Sequence, residues 1–156
     1  MKRQLGEHAL CAKAIRKILK KAFPEIKFSV RSQSYSMGDN VRVKWTDGID
    51  TERVKELIWH FEYGTFDGMT DMYNNDNMRK DIPQTKYLFI EREISDAVME
   101  KAFEIVSKYW VDYQGCKNLD DGVSLPYGWS TPRQFIWRSL QDKDLSQEIT
   151  RELIAA

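Results

Sequence analysis

Apolar residues first recur at helical spacing along this chain and then at every second position. Over residues 7–23 they fall on one side of a helix and four lysines fall on the other, which predicts an amphipathic helix that ends before Pro24. Residues 28–32 and 41–45 alternate apolar with polar, which predicts two strands. The turn chemistry of residues 36–40 joins them as a hairpin. The chain therefore begins α-β-β, with the helix covering the apolar face of the hairpin.

The same alternation sets which side chains lie on the other face of this hairpin. Arg31, Arg42 and Lys44 share that face, with Tyr35 nearby. These three cations should cluster there unless later sequence covers them. Cys11 belongs to the apolar side of the first helix, where we interpret it as a small buried hydrophobe.

A second helix and a third strand follow. Residues 51–63 carry a helical apolar stripe, and Gly64 stands where a C-cap would be. Residues 85–92 have a nearly continuous apolar centre. A strand of that kind is typically buried on both faces, so we expect it to be the central strand of the sheet.

Helix-start signals mark the rest of the chain. Ser95 is a good N-cap for a helix over about 96–114, and Thr131 followed by Pro132 and Gln134 predicts another helix. Ser146 is the candidate cap of a last helix. The predicted class is α+β: a small, mainly antiparallel three-stranded sheet packed with helices, in the order α-β-β-α-β-α, followed by two short C-terminal helices. We expect residues 1–115 to form the α+β domain and residues 116–156 to be a helical extension packed on it.

Two long segments lack any regular period. Residues 65–83 are the longer, and a structureless connection of that size is usually functional or mobile. Both segments hold more aromatic and Met side chains than a solvated loop needs, including Tyr127 and Trp129 in the second, 115–130. The protein-binding residues that we predict lie together in the first segment: Phe66, Asp67, Met69, Asp71, Met72 and Tyr73.

Composition narrows the class of protein. The 156 residues carry 24 basic and 24 acidic side chains, which excludes a protein that coats nucleic acid through a uniformly basic surface. Residues 1–46 nevertheless hold a net charge of +8 and the remainder −8. Apolar runs are far shorter than the roughly 20 residues of a membrane span, and two distant cysteines cannot build a disulfide framework. We therefore expect a cytoplasmic protein with no membrane association.

Motifs for known chemistry are missing from the sequence. It contains no phosphate loop, dinucleotide fingerprint, H-E-x-x-H or C-x-x-C, and it has two histidines. Asp67 and Asp71 belong to a run of acidic residues, yet their spacing does not match a calcium loop. We therefore predict no metal, no cofactor and no enzymatic activity.

Three stretches resemble a known family. They are residues 20–32, residues 41–48 with Trp-Thr-Asp-Gly, and residues 66–73 with Phe-Asp-Gly-Met-Thr-Asp. Together they are similar to one family of large polyvalent protein-associated domains, over about residues 10–110. The resemblance implies a small α+β domain from a phage, plasmid or integrative element, with no established activity and no catalytic residues to transfer.

Three hypotheses of function remain open. The first is a non-catalytic accessory protein that binds a host or mobile-element protein, with opposition to host defence as one role. The second is a nucleic-acid-binding module that uses Arg31, Arg42 and Lys44. The third is a metal-dependent hydrolase or nuclease built on Asp67 and Asp71. The oligomeric state is not set by the sequence pattern.

Overall fold

The computed structural model describes residues 5–141, and its α+β class confirms the predicted one. The helices in this range are α1 (Glu7–Ala22), α2 (Thr51–Ile58), α3 (Asp96–Tyr109) and α4 (Pro132–Gln141), with 3-10 turns at Trp59–Phe61 and Val111–Tyr113. The strands are β1 (Ser29–Tyr35), β2 (Gly38–Thr46), β3 (Thr65–Asp67), β4 (Met72–Asn74), β5 (Tyr87–Glu93), β6 (Val123–Leu125) and β7 (Gly128–Ser130). The helix predicted to begin at Ser146 lies outside the described residues.

The chain divides into two compact units, and the boundary lies between Glu93 and Ile94. The first unit holds α1, α2 and strands β1 to β5, and the second holds α3, α4 and strands β6 and β7. The division into a domain of residues 1–115 and an extension of residues 116–156 stays a prediction.

The main sheet has the strand order β1-β2-β5 and is mixed. β1 and β2 pair antiparallel as the predicted hairpin, whereas β2 and β5 pair parallel. The parallel pairing arises because α2 lies between these strands along the chain and allows β5 to run in the same direction as β2. β2 is therefore the middle strand. The expectation that residues 85–92 form the central strand is wrong, and β5 lies at the edge with its side chains mostly half-buried.

Helices cover one face of this sheet. Ile15 and Leu19 of α1, and Val54 and Ile58 of α2, are completely buried in one cluster with the apolar face of the sheet. The sheet contributes Val30, Val41, Val43 and Trp45 to the same cluster. Each large apolar side chain buried here stabilises the unit by ~1.5–3 kcal/mol. Cys11 lies in this core as predicted, and burial raises its pKa to about 12.

The second unit has its own apolar core, formed by α3, α4 and the segment between them. Both predicted helix caps are present. The Ser95 hydroxyl accepts a hydrogen bond from the Val98 N–H at 3.4 Å. Thr131 and Gln134 exchange two bonds of 3.2 Å, in which each side chain accepts from the other residue's N–H. Such a reciprocal box satisfies two amides that the first helical turn otherwise leaves unpaired.

Within residues 5–141, none of the helices combines the length and the apolar character that crossing a membrane requires.

Candidate functional site

The segment predicted to lack regular structure, residues 65–83, contains a short hairpin of β3 and β4. Its register places Phe66 opposite Tyr73 and Asp67 opposite Met72. Each strand has three residues, which is too short for an alternating pattern to stand out in the sequence. The hairpin brings together all six predicted protein-binding residues.

Gly64 lies at the base of this hairpin, where the backbone of β4 passes very close. A Cβ atom on Gly64 would lie 2.1 Å from the carbonyl oxygen of Asn74 and 2.6 Å from the ring of Tyr73. The predicted role of Gly64 as a C-cap is wrong, because α2 already ends at Ile58 and a 3-10 turn follows it. Gly64 is instead the residue that allows the two strands to approach.

Asp67 holds the turn of the hairpin. Its two carboxylate oxygens accept hydrogen bonds from the Met69 N–H at 2.9 Å and from the Thr70 hydroxyl at 2.8 Å. These bonds favour the charged form, the bond from Met69 most, and lower the pKa of Asp67. Asp71 completes the turn with φ of 53°, in the left-handed region that Asp tolerates better than most residues. The turn is thus fixed by its own side chains.

Tyr73 anchors the hairpin to the main sheet. Its hydroxyl donates a short hydrogen bond to the carbonyl of Lys86, and its ring packs edge-on against Tyr63 and Tyr87, with centroids 5.8 and 5.4 Å away. The Lys86 ammonium lies 5.1 Å from the centre of the same ring. Burial, together with the charge of Glu62, raises the pKa of Tyr73. Tyr73 therefore supports the predicted binding surface from beneath.

Residues after β4 hold the base of the hairpin. Asp76 accepts a 2.7 Å bond from the Thr65 hydroxyl. The buried Gln84 carboxamide donates to the carbonyls of His60 and Asn77 at 2.8 and 2.9 Å, and accepts from the Arg79 N–H at 2.7 Å. A buried amide with all of these bonds made fixes the chain around it, since breaking any one leaves a polar atom unpaired.

The hairpin fixed in this way exposes large apolar side chains. Met69 at the turn is 97% exposed, Met72 is 61% exposed and Phe66 is 54% exposed. Met78, beyond the hairpin, is also exposed. We name Phe66, Met69 and Met72 the hairpin tip. Single exposed apolar residues are common on proteins, but three in a segment of seven are more than a solvated hairpin needs. Because Phe66 lies opposite Tyr73 and Met72 lies opposite Asp67, Phe66 and Met72 leave opposite faces of the hairpin, and Met69 lies at the turn between them.

Three carboxylates of this region are engaged with protein donors. Asp67 and Asp76 accept the hydrogen bonds described above, and Asp81 pairs with Arg79 at 2.6 Å, which lowers the pKa of Asp81. Within residues 5–141, no group of three or more His, Cys, Asp or Glu side chains is placed to hold a metal ion.

The three predicted nucleic-acid-binding cations are brought together on the face of the main sheet opposite α1 and α2. Arg31 lies directly across from Arg42, and Lys44 lies two residues further along β2. The later sequence adds Glu91, whose carboxylate lies 3.3 Å from the Arg42 guanidinium and 2.8 Å from the Lys44 ammonium. Lys44 and Arg42 lower the pKa of Glu91. The basic face is therefore partly neutralised by an acidic residue of β5.

Sequence reasoning missed two aromatic residues on this face. Tyr87 and Phe89 of β5 lie across from Asn40 and Arg42, and their rings are nearly parallel, 6.2 Å apart. The Arg42 guanidinium lies 5.2 Å from the centre of the Phe89 ring. The sequence could have predicted this pair, because residues two positions apart in a strand, such as Tyr87 and Phe89, lie on the same face.

The second unit has an exposed hairpin of its own, β6 and β7. Tyr127 in its turn and Trp129 in β7 are both largely exposed. These are the aromatic residues that the sequence marked in the segment 115–130.

Comparisons with known proteins place the first unit in a family. The chain matches no curated protein and no solved structure. A family model described as Large polyvalent protein associated domain 29 matches residues 7–95, which is more than half of the 156 residues and includes the hairpin tip and the whole main sheet. The family predicted from residues 20–32, 41–48 and 66–73 is thereby confirmed, and the chain belongs to the large polyvalent protein associated domain 29 family.

Proposed function

We propose that this chain is a non-catalytic accessory protein of a phage, plasmid or integrative element. It works in the bacterial cytoplasm, by binding a protein of the host or of the element through the hairpin tip. The observation that supports this proposal is a hairpin fixed by hydrogen bonds that nevertheless exposes Phe66, Met69 and Met72. Membership of the family supports the mobile-element context.

The energetics favour binding by such a tip. Burying the side chain of Met69 or Met72 in an interface would contribute ~1.5–3 kcal/mol each. Because Asp67 and Tyr73 already hold the hairpin, little backbone conformational freedom is lost when the partner binds. Methionine side chains also adapt to surfaces of irregular shape, which makes them common in protein-binding sites.

The chemistry of the acidic residues supports the non-catalytic part of the proposal. Asp67 uses both oxygens to hold the turn, so replacing it should change the shape of the tip. A hydrolase built on Asp67 and Asp71 is the competing idea. It predicts divalent-metal-dependent cleavage of nucleic acid that Asp71→Asn abolishes, whereas our proposal predicts no cleavage in the same screen.

Site-specific photocrosslinking in the bacterial host tests the proposal. A photoreactive amino acid replaces Met69, and the matched control carries it at Met37, which is also a methionine in a hairpin turn and is 80% exposed. We expect one discrete protein adduct from position 69 and none from position 37. Equal labelling at both positions, or no adduct at any of the three tip positions, would contradict a specific partner at the tip.

Affinity measurements on the recovered partner complete the test. Met69→Ser should weaken binding about 5-fold or more, because loss of a central interface residue costs more than about 1 kcal/mol. Met37→Ser should leave the affinity unchanged.

The proposal extends to opposition of a host defence system. It predicts that an element carrying Met69→Ser enters a defended strain less efficiently than wild type, with no difference in an undefended strain.

A further inference from the structure

The main sheet has one face that neither α1 nor α2 covers. α1 and α2 pack on the face that carries Val41 and Val43, and the strands alternate, so every second residue points away from that core. On this open face β1 and β2 present Arg31, Arg42 and Lys44, and β5 presents Phe89. We name these four residues the open sheet face. They are distinct from the hairpin tip.

We propose that the open sheet face binds single-stranded nucleic acid. Two kinds of group that such a strand requires, cations and an aromatic ring, lie side by side here. Arg31 and Lys44 can neutralise phosphates, while Phe89, 39% exposed, offers a ring to a base. The Arg42 guanidinium lies near the Phe89 ring, where it can contact either a phosphate or a base. A cavity of about 590 Å³ on β1 and β2 is lined by Arg31, Arg42 and Lys44 together with polar side chains, including Gln33 and Asn40.

The acidic residues on this face are compatible with the proposal. Glu91 pairs with Arg42 and Lys44, and Glu93 lies 3.8 Å from Lys44, but all of these side chains are substantially exposed. Exposed ion pairs are weak, so a phosphate can replace the carboxylate as the partner of the cation. Arg31 takes part in no ion pair within the part of the chain that the structure describes.

The charge balance also selects the form of nucleic acid. Three cations and two carboxylates leave the face only slightly positive, which is a poor match for the dense phosphates of a duplex. A single strand fits better, since an unpaired base can stack on Phe89 and contribute binding that does not depend on charge. Neutralising three phosphates of a single strand gives a log–log salt slope of about −2, so affinity should fall about 20-fold between about 50 and 200 mM salt.

Fluorescence anisotropy with the full chain tests this proposal. The probes are labelled oligo-dT and oligo-rU of about 12 nucleotides and a duplex of the same length. We expect both single strands to bind more tightly than the duplex. The difference between the dT and rU probes identifies which of the two is the preferred ligand. Phe89→Leu keeps an apolar side chain but removes the ring and should weaken binding about 5-fold or more, whereas Phe89→Trp should retain it.

Charge variants give effects of opposite sign. Arg31→Ala with Arg42→Ala should reduce the salt slope to about −0.7, and Lys17→Ala on the exposed side of α1 should leave the slope unchanged. Glu91→Gln should tighten binding, which general damage to the fold could not do.

The inference is wrong if no single strand binds at about 50 mM salt with protein up to about 100 µM, or if the duplex binds equally well. It is also wrong if Phe89→Leu binds like wild type. Met69→Ser should not affect this binding, so failure here leaves the partner-binding proposal standing.

Discussion

The close approach at the base of the hairpin makes Gly64→Ala the sharpest test of the structure. The new Cβ would lie 2.1 Å from the Asn74 carbonyl oxygen, which belongs to backbone and cannot rotate away. Normal contact requires the backbone of β4 to move by about 1 Å or more. Such a shift strains the pairing of Thr65 with Asn74 and the hydrogen bond from the Asn77 N–H to the Tyr63 carbonyl, 3.1 Å long.

The magnitude follows from two opposing contributions. Forcing a methyl group into a filled space costs ~1–3 kcal/mol. Replacing glycine by alanine also restricts the unfolded chain, which stabilises the folded state by ~0.4–1 kcal/mol. The net loss of about 1–2 kcal/mol corresponds to an opening equilibrium of the hairpin that is about 5–30-fold more favourable.

Gly68→Ala is the matched control because it makes the same chemical change in the same hairpin. Apart from Gly68 and its two chain neighbours, no atom of residues 5–141 lies within 4 Å of the Cβ position at Gly68, so only the stabilising contribution remains. Amide hydrogen exchange of β4 and Asn77 reports the local opening, and the ladder between β1 and β2 provides an internal reference. We expect protection around β4 to fall in Gly64→Ala and to hold or rise in Gly68→Ala. Equal protection in the two variants would refute the close approach.

Three further predictions address other parts of the chain. A thiol reagent should modify the half-buried Cys116 in the native protein and reach the buried Cys11 only after unfolding. Burial raises the pKa of Glu62, so the folded state binds the proton of this carboxyl group more tightly than the unfolded state does. The resulting stabilisation of the folded state is present in acid and is lost as the pH rises through the pKa of the folded state. Glu62→Gln should keep the bond that the carboxylate accepts from the Leu88 N–H, and should stabilise the protein at neutral pH but not in acid, as measured by thermal unfolding at both pH values. Thr131→Ala should destabilise the second unit by ~1 kcal/mol in urea unfolding, through loss of its cap on α4.

Local signals in the sequence were sufficient for much of the fold. The period of α1, the β1–β2 hairpin and the caps at Ser95 and Thr131 depend on residues close together in the chain, and the structure confirms each of them. The edge position of β5 depends instead on which strand pairs with β2. Its apolar centre suggested burial on both faces, but Leu88 and Ile90 pack on the core while Phe89 is partly exposed on the other side.

The candidate site was predictable in composition and not in conformation. Met69 and Met72 could be recognised as excess apolar residues in a polar segment. The bonds that hold them in place join residues such as Tyr73 with Lys86 and Gln84 with His60, which are 13 and 24 positions apart. Local sequence patterns do not predict contacts between residues that lie so far apart in the chain.

Long-range pairing also makes the distribution of charge on the folded surface differ from the distribution of charge along the sequence. The excess of +8 in residues 1–46 and of −8 in the rest permits a basic surface on one element but does not require one. In the folded unit, Glu91 and Glu93 from the acidic part lie beside Arg42 and Lys44 from the basic part, because β5 pairs with β2. A ligand of the open sheet face therefore encounters a few exposed cations and an aromatic ring. Its salt dependence should be that of about three phosphate contacts and not of eight.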